Sequence, residues 1–432
     1  MNIEAVRREF PALSVRGGRG AIFFDNPAGT QVSRRVLNRM NTAMIETNAN
    51  LGGHFETSIR AEALVDEAHA AMAAFFNSDA DEVVFGQNMT TLTFALSRAI
   101  GRDLNAGDEI LLTRMDHDAN VAPWLMLAEE KGLVVRWLPF DPVSFEFDLT
   151  RLDALITPKL KLAAINYASN VTGTINDVKA IVARVKAAGA LTYLDAVQFA
   201  PHGIVDVRDL GCDFLVCSAY KFYGPHQGIL YGRRAVLESL TAYRVRPAPQ
   251  DPPGKFETGT TSREALAGVL GAIEHYEWVG TSHGAAAEGA GRRERILAGI
   301  RAIDTHERAI TARLIEGLQA LPGVTIQGLT AHQTLERRVP TVSFTYAGVD
   351  PSVICAAMAA KDIYLWHGHN YGVEPIGQLG LLDKGGVVRV GLGQYNTAAE
   401  VDRFLAEMVA WAGSEGLPAG TAQITGRDAG SA

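Results

Sequence analysis

Along the first two thirds of the chain, short apolar runs alternate with stretches of helical period. The runs are Glu82–Phe85, Glu109–Thr113, Val134–Leu138, Leu162–Asn166, Leu191–Leu194, Phe214–Cys217 and Gly228–Tyr231. Nearly all their residues are apolar, as in strands buried on both faces of a sheet. Between them, apolar positions recur at helical spacing, for example over Thr91–Ile100, Val121–Glu130 and Val178–Ala188. Alternation of this kind predicts an α/β fold with a mostly parallel central sheet, covered on both sides. After about Gly280 the pattern changes. A long helical stretch over Ala285–Leu321 is followed by strands at Val324–Ile326 and Thr341–Phe344 and a helix at Pro351–Lys361. Strands at Ile363–Trp366 and Val387–Val390 and a last helix from Ala398 complete the chain. This predicts a large domain over residues 16–284 and a smaller α+β C-terminal domain over 285–415. Residues 1–15 are expected to pack on the smaller domain. Residues 416–432, rich in small side chains, read as a flexible tail.

In a parallel sheet of this kind, ligands lie beyond the carboxyl ends of the strands. The polar residues just after each run are therefore the candidates. After Phe85 comes Gly86-Gln87-Asn88-Met89-Thr90-Thr91, leading into a helix. Its free N–H groups and the Thr90 hydroxyl suit a phosphate, although on this stretch alone an ordinary helix cap by Asn88 or Thr90 is the commoner arrangement. After Thr113 comes His117, and a lone histidine there is more often structural than catalytic. After Asn166 comes Asn170, either a ligand contact or a turn cap. Asp195 follows the next run and, taken alone, can be a cap or a magnesium ligand. Lys221, in Ser218-Ala219-Tyr220-Lys221-Phe222-Tyr223-Gly224-Pro225, comes 26 residues later at the end of another. An unpaired buried ammonium costs several kcal/mol, so this lysine needs a partner or a covalent use. A lysine for a Schiff base and a carboxylate for a pyridinium nitrogen together make the protein's half of a pyridoxal phosphate site.

Charge and composition narrow the partners. The formal net charge is −8, with no basic block. This argues against nucleic acid or an anionic membrane surface. No apolar stretch reaches the roughly 18 residues of a membrane span. The N-terminal stretch is mixed and charged, unlike a signal peptide. Cys212, Cys217 and Cys355 have no metal-ligand spacing, so no metal site is expected and a cytoplasmic setting is the simplest reading.

The stretch YLDAVQFAPHGIVDVRDLGCDFLVCSAYKFYGP, from Tyr193 to Pro225, resembles the class V aminotransferases of pyridoxal phosphate fold type I. The similarity is greatest to their cysteine desulfurase-like branch. It runs from Phe24-Asp25-Asn26-Pro27-Ala28-Gly29 to Tyr395-Asn396-Thr397. The resemblance implies a homodimer that binds pyridoxal 5'-phosphate and acts on a small amino acid. By that resemblance Lys221 forms the Schiff base and Asp195 pairs with the pyridine nitrogen. Gln198 contacts the phenolic oxygen, and His117 stacks over the ring. Thr90, Met89, Ser218 and Tyr220 lie around the phosphate, and Thr260 reaches the phosphate of the partner subunit's cofactor. Asn170 contacts substrate or cofactor. Arg389 grips the substrate's α-carboxylate, with Ala28, His54, His369 and Tyr371 nearby. For His54, a plain glycine turn is the alternative.

Two stretches depart from that pattern. The histidine usual before the lysine is Tyr220, whose hydroxyl can still reach a phosphate. The family's catalytic cysteine ends an Arg-Thr-Gly-His-His-Cys pattern. The matching stretch here is Trp366-His367-Gly368-His369-Asn370-Tyr371-Gly372, with tryptophan in the arginine's place and tyrosine in the cysteine's. A tyrosine cannot carry a persulfide. The expected activity is therefore carbon–sulfur β-elimination without an enzyme persulfide. An aminotransferase or an amino-acid epimerase of the same fold is the alternative, and a catalytically silent homologue a third. His367, His369 and Tyr371 either protonate a leaving group or only close the site.

Overall fold

In the computed structural model, residues 1–17 and 20–417 are described. The apolar runs form one seven-stranded sheet. Its order is Val83–Gly86, Gly228–Gly232, Phe214–Ser218, Leu191–Asp195, Leu160–Asn166, Glu109–Thr113 and Val134–Leu138. Gly228–Gly232 runs antiparallel to both its neighbours, and the remaining pairs are parallel. Successive residues of one strand serve opposite cores. Leu111 packs with the helices Glu56–Phe76 and Arg263–Ser282, whereas Ile110 and Leu112 pack with Met89–Gly101 and Ala122–Lys131. Burial on both faces is why these runs are apolar without a break.

The smaller unit has a four-stranded antiparallel sheet in the order Trp366–Gly368, Val387–Gly391, Thr341–Tyr346 and Val324–Ile326. Its core lies against the helices Arg292–Gln319, Pro351–Ala359 and Ala398–Ser414. The long helix therefore begins at Arg292 rather than Ala285. Ala287 to Gly291 form a turn, in which Gly289 has a φ of 79° that ends any helical run.

Three further details differ from the sequence expectation. Ile22–Phe23 pairs in parallel with Ile363–Tyr364, and Phe24 lies in the smaller unit's core. Residues 22–24 thus cross into the smaller unit, although they precede the large sheet in sequence. The expected strand Ile363–Trp366 is divided. Its first half takes that parallel partner, and its second half joins the antiparallel sheet beside Val387–Gly391. The N-terminal segment straddles both units rather than resting on the smaller one. Arg7 donates to the Tyr395 carbonyl and to Glu400, while Phe10 packs edge-on against Tyr223, His275 and Tyr395. Most of the expected tail, 418–432, lies outside the described residues. No described helix is long and apolar enough to cross a membrane.

Candidate active site

Pairing in register, parallel except at Gly228–Gly232, sets the ends of neighbouring strands side by side. Asn166 is in register with Asp195, Asp195 with Val216, and Ser218 with Gly228. Three polar side chains at strand ends are thereby brought into one chamber of about 650 Å³, which Lys221, Gln198, His117, Asn170, Met89 and Thr90 also line. A second cavity of about 790 Å³ adjoins it. The two share Thr90, Phe94, His117, Ala119, Asn170, Tyr220 and Lys221. The second is walled by Ala28, Arg389 and the Trp366–Tyr371 loop of the smaller unit. Of the residues singled out in the sequence, all but two thus meet around one space. Thr260 and His54 are exposed and line neither cavity.

Local chemistry explains each placement. The Met89–Gly101 helix is capped by Asn88, whose side chain accepts from the Thr91 N–H at 2.9 Å. Thr90 is thus not the cap, and its hydroxyl stands at the helix N-terminus on the chamber wall. Gly228 lets this loop close onto the sheet, since a Cβ there would fall 2.4 Å from the Asn88 carbonyl carbon. Ser218 Oγ accepts from the Met89 N–H at 3.0 Å, tying the loop to the strand before Lys221. The turn carrying His117 is braced from below. The buried Asp116 accepts from Asn120 at 2.8 Å and from the Thr113 hydroxyl.

Electrostatics in the floor follow from burial. The Lys221 amine is pushed down to about 7 by burial, with the Arg389 charge adding to it and Asp195 opposing. It donates to the Pro27 carbonyl and lies 4.9 Å from the centre of the Tyr220 ring. Burial raises Asp195 to about 6, against the Val197 N–H that donates to Oδ1 at 2.8 Å and the pull of Lys221. Burial, with Lys221 and Arg389 adding, lowers His117 to about 3. Its ring is therefore neutral at physiological pH. Nδ1 accepts from the Ala119 N–H at 3.0 Å, which leaves the proton on Nε2.

Among the described residues, several buried side-chain polar atoms have no hydrogen-bond partner. Those in or beside the site are Gln198 Oε1, Asn170 Oδ1, Arg389 Nε and Asp25 Oδ1. Buried polar groups are normally paired, so the first three, all on residues lining the cavities, mark where a polar ligand belongs. A helix N-terminus, hydroxyls at its edge, a carboxylate deep inside and a depressed lysine suit a phosphorylated pyridine aldehyde.

Asp25, which the sequence reading did not single out, feels Arg389. Burial lifts its carboxyl to about 6 despite that charge. Phe94, Pro123 and Ala122 on the cavity wall were also missed. For Phe94 a signal existed, because it follows Thr90 by one helical turn and shares its face. All three cysteines are buried and none lines either cavity. Burial raises the Cys212 and Cys355 thiols to about 12 and Cys217 further still.

A family model described as aminotransferase class-V matches residues 22–404. The aminotransferase-like protein FGM3 of Gibberella zeae is 35% identical over 412 residues, covering 94% of this chain and 97% of that one. A cysteine desulfurase of Serratia proteamaculans is 30% identical, covering 94% and 97%. Among solved structures, the apo cysteine desulfurase of Thermococcus onnurineus NA1 superposes with a TM-score of 0.84 at 26% identity, covering 95% of this chain and 98% of that one. The chain belongs to the class V aminotransferase family and is a pyridoxal phosphate-dependent enzyme of its cysteine desulfurase-like branch.

Proposed function

We propose that the enzyme is a β-elimination lyase that cleaves the carbon–sulfur bond of a cysteine-type amino acid, with no persulfide on the protein. The observation that carries this reading is the pairing of Lys221 and Arg389 in one cavity that no cysteine lines. The loop position matching the desulfurase nucleophile holds Tyr371.

When bound, pyridoxal phosphate supplies an electron sink for the charge left at the substrate's α-carbon. Lys221 would hold the cofactor, and its amine, when free, would take the substrate's α-proton as a general base. Its depressed pKa of about 7 makes far more of the free amine neutral near physiological pH than an ordinary lysine would have. Asp195 would hold a proton at the ring nitrogen, and Gln198 would donate to the phenolic oxygen. The neutral His117 ring would pack against the bound cofactor. Thr90, Ser218, Tyr220 and the N–H groups around Met89 receive the phosphate. Arg389 receives the α-carboxylate, with Asn170 beside it. Ala28 lines the substrate's approach. The α-proton taken by Lys221 would pass to the departing thiolate, giving a thiol, and the released aminoacrylate would take up water to give pyruvate and ammonia. A thiolate needs little help to leave. His369 Nδ1 accepts from the Tyr371 N–H at 3.0 Å, which supports a loop-closing role for His369. Thr260, exposed in the single chain, would complete the phosphate site of a second copy in a homodimer, and His54 would join the substrate pocket there.

The test is to incubate the holoenzyme with L-cysteine and S-methyl-L-cysteine. Pyruvate, ammonia and the sulfur product should appear in equal amounts. Amino exchange with a keto acid and no pyruvate would make it an aminotransferase. Deuterium exchange at the α-carbon alone would make it an epimerase. A persulfide mass on any cysteine would also overturn the reading.

A further inference from the structure

The cavity on the substrate side is much larger than a CH2–SH group requires. Its volume of about 790 Å³ falls within the roughly 300–1,000 Å³ typical of pockets that enclose drug-sized ligands. Its wall is apolar and aromatic where a side chain would lie. Phe94, Ala122 and Pro123 come from the large unit, and Trp366 and Tyr371 from the loop.

Two features show that the aromatic part of this wall is built. Trp366 stands directly opposite Arg389 in the antiparallel pair. Residues so placed share one face of the sheet with Cβ atoms about 5 Å apart. A substrate whose carboxylate is held by Arg389 therefore has the indole beside it. Tyr371, in turn, lies in a fixed loop. Asn370 and Tyr371 have φ of 51° and 57°, a conformation that a tyrosine adopts only when its surroundings hold it there. The large unit supplies the hold. The Asp118 N–H donates to the Tyr371 carbonyl at 2.7 Å, and Asn170 Nδ2 donates to the Asn370 carbonyl at 2.8 Å. The outcome is a tyrosine ring stacked on His117, with centroids 5.5 Å apart and planes 20° from parallel. Its side chain is otherwise largely exposed, at 67%. A ring held in place with one face open is a surface for another ring.

We propose that the substrate carries a bulky, apolar, preferably aromatic substituent beyond its β-carbon, seated between Phe94, Pro123, Trp366 and Tyr371. Asp118, His367 and His369 complete the lining around it. The proposal rests on the reading of this cavity as an amino-acid site, and it deepens that reading from cysteine to a larger S-substituted cysteine.

The experiment titrates the holoenzyme with S-benzyl-L-cysteine, S-methyl-L-cysteine and L-cysteine, reading dissociation constants from the absorbance of the bound cofactor. S-Benzyl-L-cysteine should bind at least tenfold more tightly than the S-methyl compound. Trp366→Ala and Tyr371→Ala should each reduce that advantage to less than half, while Tyr371→Phe preserves it, because the ring and not the hydroxyl is used. An advantage below tenfold in the unaltered enzyme overturns the proposal, as does one undiminished in both alanine variants. The unaltered enzyme alone decides the first point, whatever the variants do. Binding is read independently of turnover, so tight S-benzyl-L-cysteine binding without pyruvate sinks the lyase reading and leaves this one. Pyruvate release with no size preference does the reverse.

Discussion

The floor and the loop wall of this cavity are built on opposite principles. The floor consists of strand ends in a sheet covered on both sides. Asp195, Ser218 and Asn166 are buried there, and burial, ahead of the neighbouring charges, moves Lys221, Asp195 and His117 far from their ordinary pKa values. The loop wall rests on a three-residue strand, and Trp366, His367, His369 and Tyr371 are all exposed. Its shape comes from a few hydrogen bonds and two left-handed residues. The contrast teaches where each kind of information sits. The floor sets what chemistry is available, through desolvation that only a packed core supplies. The wall chooses the molecule that uses it, and it can change without touching the core.

The largest expected effect tests the floor. Lys221→Ala removes both the covalent anchor and the base. Turnover should fall by about 10³-fold or more, since such groups contribute roughly 10²–10⁴-fold each. The absorbance band of lysine-linked cofactor should vanish with it. A surviving band would mean that another lysine holds the cofactor, and the assignment of the floor would collapse. No loop substitution should match this loss.

The same contrast decides what could be read from the sequence. The floor was legible because a buried strand is nearly all apolar, so any polar residue at its end stands out. Asp195 and Lys221 were visible that way. The wall was legible only in part. Trp366 and Tyr371 were noticed as departures from a pattern, yet their placement depends on pairing Trp366 with Arg389, which no period reveals. Phe24 in the smaller unit's core and the split of Ile363–Trp366 were missed for a related reason. Two-residue strands such as Ile22–Phe23 are too short to show a period. The same is true of Asp25, whose importance comes from its long-range proximity to Arg389.

A middle-sized effect follows from the depressed lysine. Its amine must be neutral to attack the cofactor's aldehyde. With Lys221 lowered to about 7 by burial first and the Arg389 charge second, the neutral fraction grows as pH rises and is nearly complete by about one unit above that pKa. Reconstitution of the apo protein with pyridoxal phosphate should therefore speed up about tenfold from pH 6 to its plateau near pH 8. An ordinary lysine, with a pKa of about 10.4, would continue to accelerate to pH 10. Stopped-flow absorbance across that range separates the two, and a rate still climbing at pH 9.5 would mean the floor does not desolvate the amine.

The smallest effects concern stability and sharpen the comparison most directly. Gly228→Ala places a Cβ 2.4 Å from the Asn88 carbonyl carbon and 2.7 Å from its Cα. Both are backbone atoms, held by the Asn88 cap and by the Met89 bond to Ser218, so neither can give way cheaply. Overpacking of this kind costs about 1–3 kcal/mol, which should lower the midpoint of denaturant unfolding measurably and loosen phosphate binding with it. Tyr371→Gly acts in the opposite setting. It removes a side chain that is 67% exposed and relieves a left-handed backbone at φ 57°, while losing one stacking contact with His117. These terms oppose one another, and surface changes usually stay within about 0.5 kcal/mol. The unfolding midpoint should therefore barely move. A Tyr371→Gly loss as large as that of Gly228→Ala would show that the loop is part of the core's cooperative unit, and the division between a fixed floor and an exchangeable wall would not hold.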